Sequence, residues 1–427
     1  MYRSIGVALV LVLAPVVLSA AAEQPLPAEV TLLPLAEAIK RVQAVSPALH
    51  AAQARVAAAA GTLYQASRLP NPSLDLHEEN FNPGRATRDP LDKTLDIFAV
   101  LSQPIEVGGK RAARTAAATA DVEAARAGVR QIERELARET ARLYFGALRS
   151  HVLARVLTNN RTGLQTLMDA PARHMPDAGA EDVELMKFRA EAVRLDTELA
   201  RVRLDFTRDA TALGALLGTG PVAGVRLVEP EFVDLPPGDP AELARQAVER
   251  RPEVAAAQAR LERARYAFEL EKARRFPDPA LSAGYERTGG QDTLYTGVNV
   301  PLPFFDLNTG NIERAAAEER AAALDLEALT RQYTAETVVL LVTAQDLIGR
   351  ARQVEQQLLY PAEVVRNAAR TTFHKGVSDH KGGSDILQLI DAERVYAEAW
   401  REALGLKLEA HTKALEAHLA VDGEEKP

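Results

Sequence analysis

The sequence of 427 residues predicts a mixed α and β protein built from two similar halves. Three observations lead to this prediction. Short motifs recur at an offset of about 200 residues, two strand-like segments follow the first motif of each half, and a helical run of about 65 residues follows each pair of strands. Aromatic residues make up only 5% of the chain while alanine is abundant, and small side chains favour close packing of helices.

The first 22 residues are expected to form a secretory signal peptide. Arg3 supplies the positive start, "VALVLVLAPVVL" the short apolar core, and the alanines at 20–22 a small-residue cleavage site. A retained membrane anchor is the alternative, which the short apolar run and Pro15 disfavour. The sequence has no cysteine, so neither a disulfide nor lipidation at an N-terminal cysteine is expected. A net charge of −8 argues against binding to nucleic acid.

The repeated motifs keep the same order in both halves. Chance similarity explains an alanine-rich match such as "AAQAR", but it does not explain Pro-x-Pro corners and a Gly or Asn corner in register. The matching segments are 46–56 with 251–261, 68–74 with 275–281, 103–114 with 300–314, and 182–185 with 385–388. We therefore predict that the chain contains two internal repeats.

The predicted boundaries follow from these matches. Repeat 1 covers 47–218 and repeat 2 covers 251–420, each with a helix, a β-hairpin, a long helix and a return helix. The hairpins are expected at about 72–105 and 279–303, the long helices at about 109–176 and 308–375, and the return helices at about 182–217 and 385–420. The remaining segments are the signal peptide at 1–22, an N-terminal equatorial segment at 23–46, an equatorial connector at 219–250 and a tail at 421–427.

The helices carry local signals. The first helix of each repeat is expected to end at "PNP" or "PDP", because proline cannot continue a helix. In the long helices, apolar and small residues at spacings of three and four predict a coiled-coil seam. The seam positions are Leu136, Thr140, Leu143, Ala147, Ser150, Ala154 and Leu157, and in the second helix Ala322, Leu326, Leu329, Tyr333, Leu340, Thr343 and Leu347, with Glu336 interrupting. Pro361 should kink or locally break the second long helix.

The strands alternate apolar and polar residues over about nine positions, the length with which a tilted strand crosses a bilayer. Their expected positions are 73–81, 94–103, 280–286 and 294–302. Soluble hairpins packed on helices are the alternative. Four strands cannot close a membrane barrel, since the smallest have eight, and lipid does not tolerate an open sheet edge. A membrane barrel would therefore have to be shared between several copies of the chain.

No enzyme, cofactor or stable metal site is predicted. The "VGGKR" segment fails as a phosphate loop, because Pro104 stands where a Gly is required and Arg111 where a Ser or Thr is required. "HEENF" lacks the second His of a zinc motif. Methionine and histidine side chains near the two predicted helix tips would suit transient contact with copper or silver, although Met also fills gaps in packing. These residues are Met168, His174, Met175, Met186, His374 and His380.

The combination of motifs resembles the TolC family of outer-membrane efflux channels. "SQPIEVGGKRAAR", "RFPDPALSAGYE", "VNVPLPFFDLNTGNIERA" and "ERRPEVAAAQARL" are most similar to its heavy-metal branch, of the CzcC and CusC kind. The resemblance implies a homotrimer in the outer membrane of a Gram-negative bacterium. Four strands per chain would form a twelve-stranded β-barrel in outer-membrane lipid, and the helices would form a coiled-coil barrel in the periplasm. It also implies two partners, a periplasmic adaptor and an inner-membrane proton-driven pump of the RND type.

The resemblance also implies roles for individual residues. The adaptor would dock at the helix tips, at Gly179, Gly376 and Val377, and acidic residues beyond them would close the periplasmic pore mouth, at Glu181, Asp182, Glu184, Asp379 and Asp385. Asp182 and Asp385 can also serve as helix N-caps or first-turn acids. The second tip is a few residues longer than is usual in the family, and Pro171 and Pro176 shorten the helix before the first tip.

The last group of interest is the corner between strand and long helix, at Pro104, Gly108, Gly109, Lys110 and Arg111. The glycines are expected to allow a turn. The cations, together with Arg114, are expected at the inner edge of the membrane, against lipid headgroups or neighbouring acids. The leading hypothesis is a passive exit duct for heavy-metal cations. The alternatives are a channel of the same build for small-molecule export or protein secretion, and a soluble periplasmic adaptor or scaffold.

Overall fold

Long helices occupy most of the chain. The computed structural model describes residues 31–79, 95–169, 180–220, 225–228, 235–378 and 385–421. The predicted signal peptide and the end of the predicted tail lie outside the described residues. Among the residues described, no helix has both the length and the hydropathy of a membrane span.

The same order of elements occurs twice along the chain. The first half contains α2 (Pro47–Ala66), β2 (Ser73–Glu79), β3 (Asp96–Pro104), α3 (Lys110–Asp169) and α4 (Ala180–Leu217). The second contains α6 (Pro252–Ala273), β5 (Ala280–Thr288), β6 (Gln291–Asn299), α7 (Thr309–Val354), a π-helical turn (Glu355–Leu359), α8 (Tyr360–Ser378) and α9 (Asp385–Val421). Outside this scheme lie β1 (Thr31–Leu33), α1 (Leu35–Val45), β4 (Val225–Leu227) and α5 (Pro240–Val248).

The four longer strands form one antiparallel sheet in the order β2-β3-β5-β6. The β3–β5 pair joins the two halves of the chain, with Pro104 opposite Ala280 and Ile97 opposite Arg287. Within the described residues, β2 and β6 are the two edges of this sheet. Every residue of β2 is exposed, and so is every residue of β6 except Gly297.

The turn between β5 and β6 is shorter than the alternation of apolar and polar residues predicts. The strands extend into the polar "RTGGQD" segment and leave a turn of two residues, Gly289 and Gly290, with φ of 59° and 83°. Two successive positive φ angles give the turn type that matches the twist of a hairpin, so pairing continues up to the turn. At its other end β6 stops at Asn299, where residues up to 302 were predicted.

Most of the predicted seam of α3 is buried, and Leu136 and Ala154 are partly buried. Thr140, Ala147 and Leu157 have no exposed surface, and Leu143 and Ser150 are 4% exposed. In the seam of α7 Leu347 is buried as predicted, but Thr337, Leu341 and Ala344 are buried where Leu340 and Thr343 were expected. Glu336 is exposed beside Thr337, so the seam does not break there but shifts by one residue.

The second long helix is not continuous. A π-helical turn at Glu355–Leu359 separates α7 from α8 immediately before Pro361. Proline lacks an N–H and its ring would clash with the carbonyl group four residues earlier, at Gln357. A wider turn relieves this clash while the chain stays helical.

The predicted connectors form a packed belt around the middle of the helices. β1 and β4 pair in parallel, and α1 places Ala38 and Val42 in the core beside Tyr144 of α3. The buried Tyr144 hydroxyl accepts a hydrogen bond from Val228 N at 2.8 Å and lies 2.8 Å from the carbonyl oxygens of Leu33 and Val228. Burial raises the pKa of Tyr144 to about 12, so the phenol stays protonated and holds both connectors against α3.

Candidate functional site

The first corner turns through two glycines. β3 ends at Pro104 and α3 begins at Lys110. Gly108 and Gly109 between them have φ of 72° and 80°, a left-handed conformation that glycine adopts without steric cost. A Cβ atom on Gly108 would lie 3.2 Å from the Phe276 ring and 3.3 Å from the Ala273 carbonyl oxygen, whereas Gly109 faces open space. The first glycine therefore allows both the turn and the close approach of α6.

Lys110 ties this corner to the end of α6. Its side chain is only 9% exposed, and its Nζ lies 2.5 Å from the Phe276 carbonyl oxygen and 2.8 Å from Asp278 Oδ1. Asp278 Oδ1 also accepts a hydrogen bond from Val107 N at 2.9 Å. The cation thus satisfies a carbonyl at the end of one helix and a carboxylate in the "PDP" turn, which is a structural and not a phosphate-binding arrangement.

Arg114 ties the same corner to the end of α2. It donates from Nη1 to Glu106 Oε1 at 2.5 Å and from Nη2 to Glu106 Oε2 at 3.1 Å, a bidentate pair. It also donates from Nε to the Ala66 carbonyl oxygen at 2.9 Å. The hydrogen bonds to Glu106 raise the pKa of Arg114 above its ordinary value. Lys110 and Arg114 both face acids of this chain, while Arg111 is exposed.

The second corner has no Gly pair and uses a left-handed asparagine. Asn308 has φ of 59° and immediately precedes α7. Its Nδ2 donates to the Glu271 carbonyl oxygen at 2.9 Å and to Glu271 Oε2 at 2.8 Å. Asn308 therefore anchors the start of α7 to the end of α6, the first helix of its own half. The loop before it leaves Phe304 77% exposed and Phe305 fully exposed.

The residues expected at the pore mouth and tips are only partly described. Gly179 and Asp379 lie outside the described residues. Glu181, Asp182 and Glu184 lie near the start of α4, Asp385 is the first residue of α9, and Gly376 and Val377 lie in the last turn of α8. Of the tip methionines, Met186 is exposed on α4. In the described part of the chain, no group of three or more His, Asp or Glu side chains could hold a metal ion.

A comparison with protein families decides the assignment. The profile described as "Outer membrane efflux protein" matches residues 38–219 and, separately, residues 243–416. The chain belongs to the outer membrane efflux protein family. This family comprises passive channels, so the expectation that the chain is not an enzyme is confirmed, as is the resemblance to TolC-type channels of the heavy-metal branch.

Two relatives of this outer membrane efflux protein are named as metal resistance proteins. The chain is 28% identical over 364 residues to the cobalt-zinc-cadmium resistance protein CzcC of Cupriavidus metallidurans, covering 84% of this chain and 82% of that protein. It is 29% identical over 315 residues to the nickel and cobalt resistance protein CnrC of the same organism, covering 73% and 71%. Its fold is similar to that of the Vibrio cholerae outer membrane protein VceC, with a TM-score of 0.69, 20% identity and coverage of 90% and 95%.

The sequence alone does not reveal the partners that hold the two corners of this outer membrane efflux protein. Asp278 lies in the proline turn that ends a helix, and nothing local in the sequence marks it as the partner of Lys110, 168 positions away. Asn308 had a usable signal, because asparagine is the residue other than glycine that most readily adopts a left-handed conformation.

Proposed function

We propose that this outer membrane efflux protein is the passive exit duct of a tripartite system that expels heavy-metal cations. An inner-membrane proton antiporter of the RND type would drive export, and a periplasmic adaptor would join it to the duct. The observation that carries the proposal is the similarity to a cobalt-zinc-cadmium resistance protein over 84% of this chain and 82% of that one. The chain would bind no cofactor and perform no chemistry on its cargo.

The geometry of a single chain supports a shared channel. Its sheet has four strands, so three copies would supply the twelve strands of a common β-barrel in the outer membrane. The helix α3 has 60 residues and spans about 90 Å, so the helical part could form a long periplasmic tunnel. The double match of one family profile supports the view that each chain contributes two related repeats.

Deletion of the gene tests the metal assignment. We expect the deletion strain to become more sensitive to one or more of cobalt, zinc, cadmium, nickel, copper and silver, because the pump would lose its exit through the outer membrane. Minimum inhibitory concentrations measure this, and a plasmid copy of the gene should restore resistance while the empty plasmid should not. Unchanged resistance to all six metals, with new sensitivity to organic compounds or loss of a secreted protein, would favour the alternative cargoes.

The tips are proposed to form the gate. In a trimer, the first turns of α4 and α9 would place Asp182 and Asp385 of all copies around one axis. Such a ring of carboxylates attracts cations, and the bound cations would favour a narrow, closed mouth. The tips with Gly179, Gly376 and Val377 would meet the adaptor. These roles come from the family resemblance together with the positions of the helix ends.

Replacing both carboxylates is expected to loosen the closed mouth. Asp182→Ala combined with Asp385→Ala should raise the conductance of the purified channel several-fold in a planar bilayer. Glu402→Ala is a suitable control, because Glu402 is exposed on α9 well away from its first turn. Equal conductance of the double variant, the control and the unaltered channel would contradict the gate assignment.

A further inference from the structure

Strand β2 carries an imidazole between two carboxylates. His77, which begins the "HEENF" segment, follows Asp75 and precedes Glu79 at intervals of two residues. Side chains at such intervals lie on the same face of a strand. All three are accessible, because the side chains of Asp75, His77 and Glu79 are 71%, 45% and 61% exposed.

The two faces of the four-stranded sheet differ in polarity. The pairing of the strands places apolar side chains on the face opposite His77, at Leu74, Leu76, Ile97, Leu101, Leu281, Leu294 and Val298. The face of His77 also carries Phe98, Val100 and Tyr295, but most of its side chains are polar, at Ser73, Asp75, Glu79, Ser102, Ser282, Glu286 and Thr293. In a membrane barrel the apolar face meets lipid and the polar face lines the interior. His77 would therefore face the passage of the duct.

The ring of His77 is held in one orientation. Its Nδ1 donates to Asp75 Oδ1 at 2.8 Å, since a carboxylate only accepts. The ring also stacks on Phe98 of β3, with centroids 4.7 Å apart and planes inclined by 3°. A proton on Nδ1 leaves the lone pair of the neutral imidazole on Nε2. This is the arrangement with which a carboxylate orients a metal-binding histidine.

Glu79 lies at the distance of a second ligand. Its Oε1 is 3.9 Å from His77 Nε2, which is too long for a hydrogen bond. Metal–nitrogen and metal–oxygen bonds to zinc add up to about 4.0–4.3 Å, so one ion fits between these two atoms without movement of the strand. Asp96, which pairs with Glu79, is buried and accepts from Gly289 N at 3.0 Å, so its carboxylate is committed to the hairpin turn.

We propose that His77 Nε2 and Glu79 form a two-ligand contact site for divalent heavy-metal cations on the inner wall of the duct, with Asp75 as the positioning residue. The proposal rests on the metal-exporting duct described above, which supplies the passage and the cargo. Two protein ligands leave the other coordination positions to water, so the ion is held weakly and leaves readily, as conduction requires. A resident zinc ion takes three or four protein ligands.

The ligand types select a class of cation. Imidazole suits zinc, nickel and similar divalent transition metals, whereas soft monovalent copper prefers thiolate and thioether ligands and magnesium prefers oxygen alone. His77 with Glu79 therefore favours Zn²⁺, Co²⁺ and Ni²⁺ over Mg²⁺. In a trimer each copy would add one such site to the wall.

Quenching of a fluorophore by Co²⁺ tests the site, and the absence of native cysteine allows labelling at one position. Ser73→Cys carries a bimane, because Ser73 lies on the same face four residues from His77, about 13 Å along the strand. Co²⁺ absorbs visible light and quenches bimane over such a distance, whereas Zn²⁺ does not absorb. We expect saturable quenching of the purified trimer by Co²⁺, reversed by Zn²⁺ and not by Mg²⁺ at the same concentration.

Four variants assign the quenching to the proposed ligands. His77→Ala should raise the half-saturating concentration of Co²⁺ at least tenfold, and Glu79→Gln several-fold. Asp75→Asn should raise it about tenfold with an unchanged melting temperature, as the loss of an orienting carboxylate does. Glu78→Gln is the matched control, because Glu78 is exposed on the same strand but pairs with Ile97 on the opposite face. It should change the concentration less than twofold.

Two results would overturn the site. One is equal quenching of His77→Ala and the unaltered trimer, and the other is competition by Mg²⁺ as strong as that by Zn²⁺. Either would leave the duct intact, because the duct is tested by the metal sensitivity of the deletion strain. Unchanged resistance of that strain to all six metals, with quenching that depends on His77, would overturn the cargo and not the site. If His77→Ala does not assemble as a trimer, Glu79→Gln keeps the shape of the side chain and decides the question.

Discussion

Replacing Lys110 by alanine is expected to destabilise the purified channel by about 1.5–3 kcal/mol, the range found for hydrogen bonds to charged groups. The change removes a nearly buried cation and leaves the Phe276 carbonyl and the Asp278 carboxylate without it. Because Asp278 is 32% exposed, water can solvate part of the remaining charge and keeps the loss below that of a fully buried pair. Thermal unfolding followed by circular dichroism in detergent measures the effect.

Arg111 provides the matched control for this change. It is the next residue, carries the same charge and is exposed, so Arg111→Ala should alter stability by no more than about 0.5 kcal/mol. The double variant Lys110→Ala with Asp278→Ala should lose less than the sum of the two single losses, since the residues act together. Equal melting temperatures for Lys110→Ala and Arg111→Ala would show that the ion pair does not hold the corner.

Replacing Gly108 by valine is expected to cost about 3 kcal/mol through two effects. A side chain at φ of 72° is strained by about 1–2 kcal/mol, and more for a β-branched residue. The new Cβ would also press on the Phe276 ring and the Ala273 carbonyl oxygen, which separates α3 from α6 at the point where Lys110 joins them. The yield of folded protein in the outer membrane and its melting temperature both report the loss.

Two other glycines separate these effects. Gly109 has φ of 80° but open space around it, so Gly109→Val should show the strain without the steric contact. Gly128 lies inside α3 with nothing within 4 Å of an added Cβ, so Gly128→Ala should be neutral or stabilising by up to about 1 kcal/mol. The expected order of damage is Gly108, then Gly109, then Gly128. Equal damage at Gly108 and Gly109 would exclude the contact with α6 as a cause.

Much of the fold could be predicted because its signals are local. Alternation over β3 and β5, the proline turns after α2 and α6, and the three-and-four spacing along α3 each follow from residues close in sequence. The mixed α and β class is therefore confirmed by the structure. The shift of the α7 seam at Thr337 was missed because Leu340 and Thr343 fit the spacing as well as the residues beside them. Only contact with neighbouring helices decides between such alternatives.

The packed belt could not be predicted from the sequence for a related reason. Residues 23–46 and 219–250 have few periodic signals, and β1 pairs with β4 across nearly 200 residues. Tyr144 holds this belt with a hydroxyl that bonds to backbone groups of both segments, and backbone groups carry no sequence signature. The candidate site followed the same rule, since the glycines of the first corner were visible in the sequence and the partner of Lys110 was not.

The π-helical turn before Pro361 changes which residues of α8 face the helix α9. Thr337, Ala344 and Ala351 are buried at seven-residue intervals, yet continuing that count would reach Leu358 and Val365, which are exposed. The contacts instead resume one position later, at Leu359, Arg366 and Phe373, of which Phe373 is 2% exposed. The wide turn thus absorbs one additional residue, and α8 keeps the same side towards α9.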